Sequence, residues 1–260
     1  MMIDTHCHLD DARYKEDLEH VIERAYSAGV TGMLIPGADI EDLSRAKEIA
    51  HRYENIYFAA GVHPYHHDQY DEKILRNFLQ DPKCIAVGEC GLDYYRLPED
   101  EDEKQQEVQK QKEIFAQHIR LAKELKKPLI VHIREANDDS KKVLLEENAS
   151  EIGGVLHCYN ASKHLLDLAN HGFYFGIGGV ITFKNAKALV EVLPLIPREK
   201  LLLETDGPYL TPMPFRGERN EPAYTTFVAE KMSELLHVSV TQLHELTTNN
   251  AICLFKAFKK

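Results

Sequence analysis

The chain has 260 residues, 43% of them hydrophobic, and a formal net charge of −11. Ordinary apolar content at this length supplies a buried core, and the acidic balance excludes a broad basic face for gripping long nucleic acid, which works by neutralising phosphates. No apolar run approaches the ~20 residues that span a bilayer, no charged region followed by an apolar one opens the chain, and five cysteines without a CxxC read as reduced thiols, so a cytoplasmic setting is expected.

The first apolar segment, "MIDTHCH" (2–8), reads as a strand. Residues i and i+2 of a strand share a face, so His6 and His8 aim at one place and Cys7 aims away. An amphipathic stretch, "YKEDLEHVIERAYSAG", follows, then strands at "GMLIPG" (32–37), "IYFAAGVHP" (56–64) and "CIAVGEC" (84–90). The acidic run "PEDEDEKQQE" (98–107) reads as a solvated loop and a helix start, where carboxylates are favoured. The helical pattern of "KQKEIFAQHIRLAKELKK" places Ile114, Ile119, Leu121, Ala122 and Leu125 on a buried stripe. Four further strands are expected at "PLIVHI" (128–133), "GGVLHCY" (153–159), "FYFGIGG" (173–179) and "LLLETD" (201–206), and C-terminal helices from Glu221 onward.

Strand–helix alternation implies a parallel sheet. Eight units in sequence match a TIM (β/α)8 barrel with additional C-terminal helices, a fold of ~250 residues. The same rhythm also permits a doubly wound open sheet. No linker or composition shift divides residues 1–260, which read as one domain.

Barrel enzymes build their sites at the C-terminal ends of the strands. The expected strand ends carry His6 and His8, His63, Glu89, His132, His157 and Asp206. Several imidazoles and two carboxylates gathered without a cation would each need partners and would shift one another's pKa. Two divalent ions remove both problems. His6 and His8 supply nitrogens to one ion, His132 and His157 to the other, Glu89 bridges, and Asp206 binds the first ion and touches its water. Such an imidazole-rich set suits zinc, nickel or manganese, with magnesium also open. Two ions together clamp the attacking and leaving oxygens of a displacement.

These segments, with "GVHP", "GECGLDYYR", "PLIVHIREA", "GVLHCY", "LLLETDGPYLTPMPFRGERNEPAY" and "TTNNAICLF", run in order over essentially the whole chain. The chain resembles the TatD-type metal-dependent hydrolases, also described as TatD-related deoxyribonucleases, of the amidohydrolase-like superfamily. One departure is Cys90, where the family commonly has Ile after the Glu of its GE motif. The resemblance implies a barrel with one or two divalent ions and carries ligand roles onto His6, His8, Glu89, His132, His157 and Asp206. No expected strand ends in a lysine that could be carboxylated to bridge the ions, and Glu89 takes that place. His63, Arg134 and Tyr159 are expected to line the mouth and meet substrate. Arg96 and Arg216 are loop candidates for phosphate contact. Glu204 and Asp93 are expected to orient ligands. Cys7, Cys90 and Cys158, each beside a ligand, are expected to turn outward as small packing residues.

The leading expectation is hydrolysis of a phosphodiester in DNA or a short oligonucleotide, from an end and in the 3'-5' sense. A metal-bound hydroxide would attack phosphorus, with Asp206 and Glu89 as the catalytic carboxylates. A second reading keeps the barrel and changes the substrate to an amide, lactone or aminoacyl ester. A third is a non-catalytic metal-dependent binding protein. No coiled-coil seam or obligate protein partner is visible, and a monomer is the default.

Overall fold

The computed structural model describes residues 1–258. Eight parallel strands follow one another around the sheet in chain order: β1 (Met2–Asp4), β2 (Val30–Ile35), β3 (Ile56–Ala60), β4 (Cys84–Asp93), β5 (Leu129–Arg134), β6 (Gly154–Leu156), β7 (Phe173–Ile177) and β8 (Leu201–Leu203). The helices are α1 (Leu18–Ser27), α2 (Leu43–Arg52), α3 (Glu72–Leu79), α4 (Glu101–Leu125), α5 (Asn137–Glu146), α6 (Lys187–Val192), α7 (Thr225–Leu236) and α8 (Val240–Leu254). This is the TIM barrel; a doubly wound sheet would reverse its strand order partway. One crossover departs from the rhythm. Between β6 and β7 the chain makes a 3-10 helix, Lys163–His171.

The strands are buried on both faces, as parallel strands covered by helices are. Their side chains alternate between two layers. Leu34, Ala59, Ala86, Ile130, Val155 and Leu202 point into the barrel, while Ile35, Ala60, Val87, Val131, Leu156 and Leu203 meet the helices. At the N-terminal end of the strands the barrel is plugged by Ala251 of α8 with Phe255 and Phe258 beyond it, all buried against the inner layer. A Ser239–Gln242 capping box starts α8. The opposite end is left to the loops.

Helix α4 begins inside the acidic run. The Asp100 side chain accepts from the backbone N–H groups of Asp102 and Glu103. Its buried stripe differs in part from the expected one: Phe115 and His118 join Ile119, Leu121 and Ala122, whereas Ile114 and Leu125 stay half-buried.

Regular strands end earlier than the apolar patterns suggest. Strand β1 stops at Asp4, β3 at Ala60, β6 at Leu156 and β8 at Leu203. Beyond these points the chain leaves the ladder and bends, with Cys158 and Asp206 in left-handed conformations, and its side chains enter the mouth. The seam between the first and last strands is closed by these extensions. Thr5 N–H donates to Leu203 O (3.0 Å), Asp206 N–H to His6 O (2.9 Å) and His8 N–H to Gly207 O (2.7 Å). Barrel closure therefore places His6, His8 and Asp206 side by side.

Asp4 fastens this seam from within. Fully buried, its carboxylate accepts from the N–H of His6 (3.2 Å), the N–H of Thr205 (3.0 Å) and the hydroxyl of Thr205 (2.6 Å). Asp4→Ala leaves three buried donors without a partner, and stranded polar groups cost ~1–3 kcal/mol each. The expected destabilisation is about 3 kcal/mol or more, read as a lower urea midpoint. An unchanged midpoint would show that the seam is held by other contacts.

Candidate metal centre at the barrel mouth

Seven side chains from six loops and strands meet above the C-terminal ends of the strands. Glu89 in β4 is at their centre, 3% exposed. One carboxylate oxygen, Oε2, faces His6 Nε2 (3.4 Å) and His8 Nε2 (3.9 Å). The other, Oε1, faces His157 Nε2 (3.0 Å), His132 Nδ1 (3.1 Å) and His63 Nε2 (3.7 Å). Asp206 Oδ1 lies 3.6 Å from His6 Nε2 and 3.5 Å from His8 Nε2. The side chains thus fall into two sets around one carboxylate: His6, His8 and Asp206 on one side, His132 and His157 on the other.

Local geometry explains how each arrives. His6 and His8 flank Cys7, which bridges Gly207, and share a face, their Nε2 atoms coming within 3.3 Å. His132 is inside β5, and its Nε2 is held 2.8 Å from Asp93 Oδ2. Asp93 is fixed in turn by the Tyr65 hydroxyl (2.8 Å) and the Tyr95 N–H (2.9 Å). A carboxylate on the far nitrogen of an imidazole sets its tautomer and orientation. Gly91 lets β4 pass close to β5 here. Its φ is +140°, and a Cβ at this position would collide with the His132 carbonyl. Asp206 adopts a left-handed backbone (φ 57°), as do Cys158 (φ 43°), Glu135 (φ 55°) and Leu210 (φ 51°) around the mouth. Non-glycine residues in that region cost energy and gather at functional sites.

His63 caps the short helix that follows it, its Nδ1 accepting from the Tyr65 N–H (3.1 Å), which leaves Nε2 for the centre. Its loop is pinned by His118 of α4, whose Nε2 accepts the Val62 N–H (3.0 Å) while Nδ1 lies 2.8 Å from Ile114 O. Burial lowers His118 to about 4. Above pH 6.5 the histidine is neutral folded or unfolded and contributes nothing pH-dependent. As the pH falls from 6.5 toward 4, only the unfolded chain takes up its proton, and stability is lost. Between pH 7 and pH 5 this amounts to about 2 kcal/mol at ~1.36 kcal/mol per unit. His118→Gln, which keeps an acceptor and cannot titrate, is expected to lose that much less over the same interval in urea titrations. Equal losses would remove His118 from the acid response.

The electrostatics of the centre bear on what it could hold. Burial lowers His6 to about 4 and His63 to about 3, so both are neutral at pH 7; His6 keeps a lone pair for an ion, while the His63 lone pair on Nδ1 takes the Tyr65 N–H and its Nε2 faces the centre as a donor. Burial also opposes charge on His8 and His132, but the carboxylates of Asp206 and Glu89 at the first, and of Asp93 and Glu89 at the second, outweigh it and raise each to about 9. Glu89 is desolvated, yet the surrounding histidines hold it well below the usual carboxylate range. The same balance keeps Asp206 low. Neutral imidazoles interleaved with ionised carboxylates are the donor set of a divalent cation. The upward shifts at His8 and His132 record a demand for positive charge that such cations would meet. Among the described residues three groups of ligand atoms are compact enough to hold an ion: His6, His8 and Asp206; His6, Glu89 and His157; and His63, Asp93 and His132. The donor set fits the metals that the sequence pattern implies.

Glu204 lies beneath, fully buried, its Oε1 accepting the Cys158 N–H and standing 3.9 Å from His157 Nδ1. Burial pushes its carboxyl well above the usual range. Gly176 makes room for it, since a Cβ there would occupy the place of the carboxylate.

The mouth has two adjoining halves, clefts of ≈ 490 and ≈ 560 Å³, which share His132, Arg134, His157, Asp206 and Tyr209. Arg134 is exposed, its guanidinium 3.6 Å over the Tyr95 ring. Arg96 lines the more polar half, 5.2 Å over the Tyr65 ring. Tyr159 forms a wall of the other half, but its hydroxyl already donates to Ser162 O (2.7 Å). Arg216 is not brought to the mouth. Its guanidinium lies 3.7 Å over the Phe183 ring, and it lines neither half. Cys7 and Cys90 are buried packing residues with their sulfurs near backbone carbonyls. Cys158 departs from the expectation of an outward-facing packing residue: in its left-handed conformation it lines the apolar half.

Three side chains that the sequence pattern did not single out also belong here. Asp10, 7% exposed, lines the polar half with Oδ1 lacking a partner among the described residues, and burial raises its carboxyl to about 7. Continuing the period of two from His8 would have found it. Tyr95 and Tyr209, 53% and 48% exposed, flank the opening from irregular loops that carry no periodic signal.

Residues 3–256 match the sequence model of the TatD related DNase family. The chain is 41% identical to the uncharacterized metal-dependent hydrolase YabD of Bacillus subtilis, over 98% of this chain and 99% of that one. It is 34% identical to the 3'-5' ssDNA/RNA exonuclease TatD of Salmonella typhimurium, over 98% and 99% of the two chains. Among solved structures, YjjV, a TatD homologue of Escherichia coli K12, superposes with a TM-score of 0.89 at 29% identity over 98% of both chains.

Proposed function

The chain belongs to the TatD related DNase family and is a metal-dependent hydrolase, and from this premise we propose that it cleaves phosphodiesters in single-stranded DNA or a short oligonucleotide, one terminal nucleotide at a time from the 3' end. The observation that carries the reading is Glu89, with one oxygen toward His6 and His8 and the other toward His132 and His157. His6, His8, Asp206 and Glu89 would hold one divalent ion, and His132, His157 and Glu89 a second, of zinc, manganese, magnesium or nickel. Bound there, such ions polarise a phosphoryl oxygen and make water a better nucleophile.

The protein's own groups do the rest. Asp206, ionised and reaching into both halves of the mouth, accepts the proton of the attacking water at a carboxylate oxygen and returns one to the leaving oxygen. Arg134 holds a non-bridging phosphate oxygen, and a guanidinium can do so through two parallel hydrogen bonds. His63, neutral and aimed at the centre, steadies the phosphate beside it. Asp93 keeps His132 in place. The Salmonella relative is an exonuclease on single-stranded DNA and RNA by name, and this supports both the substrate class and the direction.

The test is a 5'-labelled single-stranded oligonucleotide incubated with the purified chain and manganese, magnesium or zinc. A ladder shortening from the 3' end is expected. Intact oligonucleotide with every metal, alongside turnover of a carboxylic ester, would assign the centre to carbonyl chemistry instead. Arg134→Met separates the two further. It is expected to lower phosphodiester kcat/KM by ~10–100-fold, the loss of a charge-assisted contact worth ~1.5–3 kcal/mol, and to spare ester turnover. Equal losses would contradict a phosphate role.

A further inference from the structure

The two halves of the mouth differ in chemistry. The polar half carries Asp10, Asp39 and Asp42 with His63 and Arg96. The other, ≈ 560 Å³, has one carboxylate on its boundary, Asp206, and beyond the histidines and Arg134 that it shares with the first its apolar walls are Tyr159, Val180, Ala186, Leu189, Tyr209 and Leu210, with the amides of Asn160 and Asn185 between them. Its size is within the ~300–1,000 Å³ of ordinary small-molecule sites. A phosphodiester has no use for such walls, and the hydrolytic chemistry assigned above leaves them without a role.

Its lining is rigid where it counts. The Tyr159 ring packs edge-to-face on Phe175 (4.8 Å), and its hydroxyl is tied to Ser162. The Tyr209 backbone is held by an N–H donated to Asp206 O (2.9 Å) and a carbonyl that accepts from the Asn220 amide (2.6 Å). One face of the Tyr209 ring is covered by Arg13 (4.2 Å), and His8 meets it at 87°. Tyr209 nevertheless remains 48% exposed at the boundary of both halves. Leu210, 36% exposed, extends the same apolar surface, and the exposed Asn185 adds an amide to the far wall.

Arg134 stands between the halves and lines both. A group whose phosphate meets Arg134 and the centre must therefore project its uncharged part into one half or the other. A flat, heteroaromatic group matches the apolar half: it stacks on a tyrosine, fills an aliphatic slot and presents edges to an amide.

We propose that the apolar half of the mouth is a nucleobase subsite, in which Tyr209, Leu189 and Val180 enclose the base of the terminal nucleotide whose phosphate Arg134 meets. This rests on the phosphodiesterase reading and adds to it a contact that senses the base. Stacking of a base on an aromatic side chain is worth ~1–3 kcal/mol and tolerates any base. The enzyme is then broad in sequence but intolerant of a missing base.

The experiment compares two single-stranded oligonucleotides that differ only at the 3' end, one with an ordinary nucleotide and one with a tetrahydrofuran abasic residue. The wild-type chain with manganese is expected to remove the ordinary nucleotide with a kcat/KM about 10–100-fold higher. Tyr209→Leu and the slot-filling Val180→Trp are expected to bring that ratio toward one, while Tyr209→Phe keeps it. The ratio is internal to each variant, so a partly misfolded preparation does not alter it. Equal rates on both oligonucleotides in the wild type overturn the subsite and leave the phosphodiesterase reading intact. A ratio unmoved in both Tyr209→Leu and Val180→Trp also overturns it. Turnover of neither oligonucleotide, with turnover of a long-chain carboxylic ester, overturns both and assigns the apolar half to an acyl group.

Discussion

Glu89→Gln is expected to lower phosphodiester turnover by at least ~10³-fold and to reduce bound metal from two ions per chain to one or none. The change removes the one carboxylate that faces both histidine sets, at 3.0–3.9 Å from five imidazoles. Lewis-acid stabilisation by a bound ion is worth several kcal/mol of transition-state charge, and each ~1.4 kcal/mol is tenfold in rate. Glutamine has the same shape and keeps one acceptor oxygen. It loses the negative charge that now holds the neighbouring cations, whether protons or metals. The fold should survive, because the amide can still meet the histidines that ring it. Metal content by elemental analysis and turnover with manganese check the two arms together. Full metal content with lost activity would leave Glu89 a role in chemistry and not in binding. Retention of both would remove it from the centre.

Asp206→Asn is expected to cost ~10²–10⁴-fold in kcat, the usual contribution of a positioned general base, with a smaller effect on KM. Asp206 is the carboxylate of the cluster that reaches both halves of the mouth, where substrate and water arrive. Asparagine preserves its volume and cannot take a proton. The pH profile provides the distinguishing reading. The acid limb of kcat in the wild type should follow an ionised carboxylate held low by His8, His6 and His157, so activity is lost only on the strongly acidic side. In Asp206→Asn that limb should disappear along with most of the rate. A variant with kcat intact would place the proton acceptor elsewhere.

Much of this arrangement is legible in the amino-acid sequence because it follows from two periods. Helical spacing marked α1 and α4, and the short apolar runs between helical stretches marked all eight strands in order. Period two in "THCH" brought His6 and His8 to one point although the paired strand stops at Asp4, since Cys7 between them still bridges Gly207. Placement at strand ends collected Glu89, His132, His157 and Asp206 from a span of more than a hundred residues, because a barrel closes on itself and directs every strand's C-terminal end to one rim.

What escaped has equally physical reasons. Arg216 sits in "PFRGERNEP", where no period constrains direction, and its guanidinium found the Phe183 ring instead of the mouth. Cys158 was read by strand alternation, but β6 has ended at Leu156 and a left-handed residue turns the chain. Tyr95 and Tyr209 lie in loops whose course is set by long-range contacts, such as the Asn220 amide on Tyr209 O. Phe115 and His118 were left off the α4 stripe, and Ile114 and Leu125 put on it, because α4 packs on β4 and on the segment after β3 at once.

The proposed chemistry requires a pair of cations around Glu89. Anomalous scattering from crystals of the active protein soaked in manganese tests this most directly. Two peaks are expected, one touching His6, His8, Asp206 and Glu89, the other touching His132, His157 and Glu89. No peak in contact with Glu89, in crystals of a preparation that hydrolyses oligonucleotide, would contradict it.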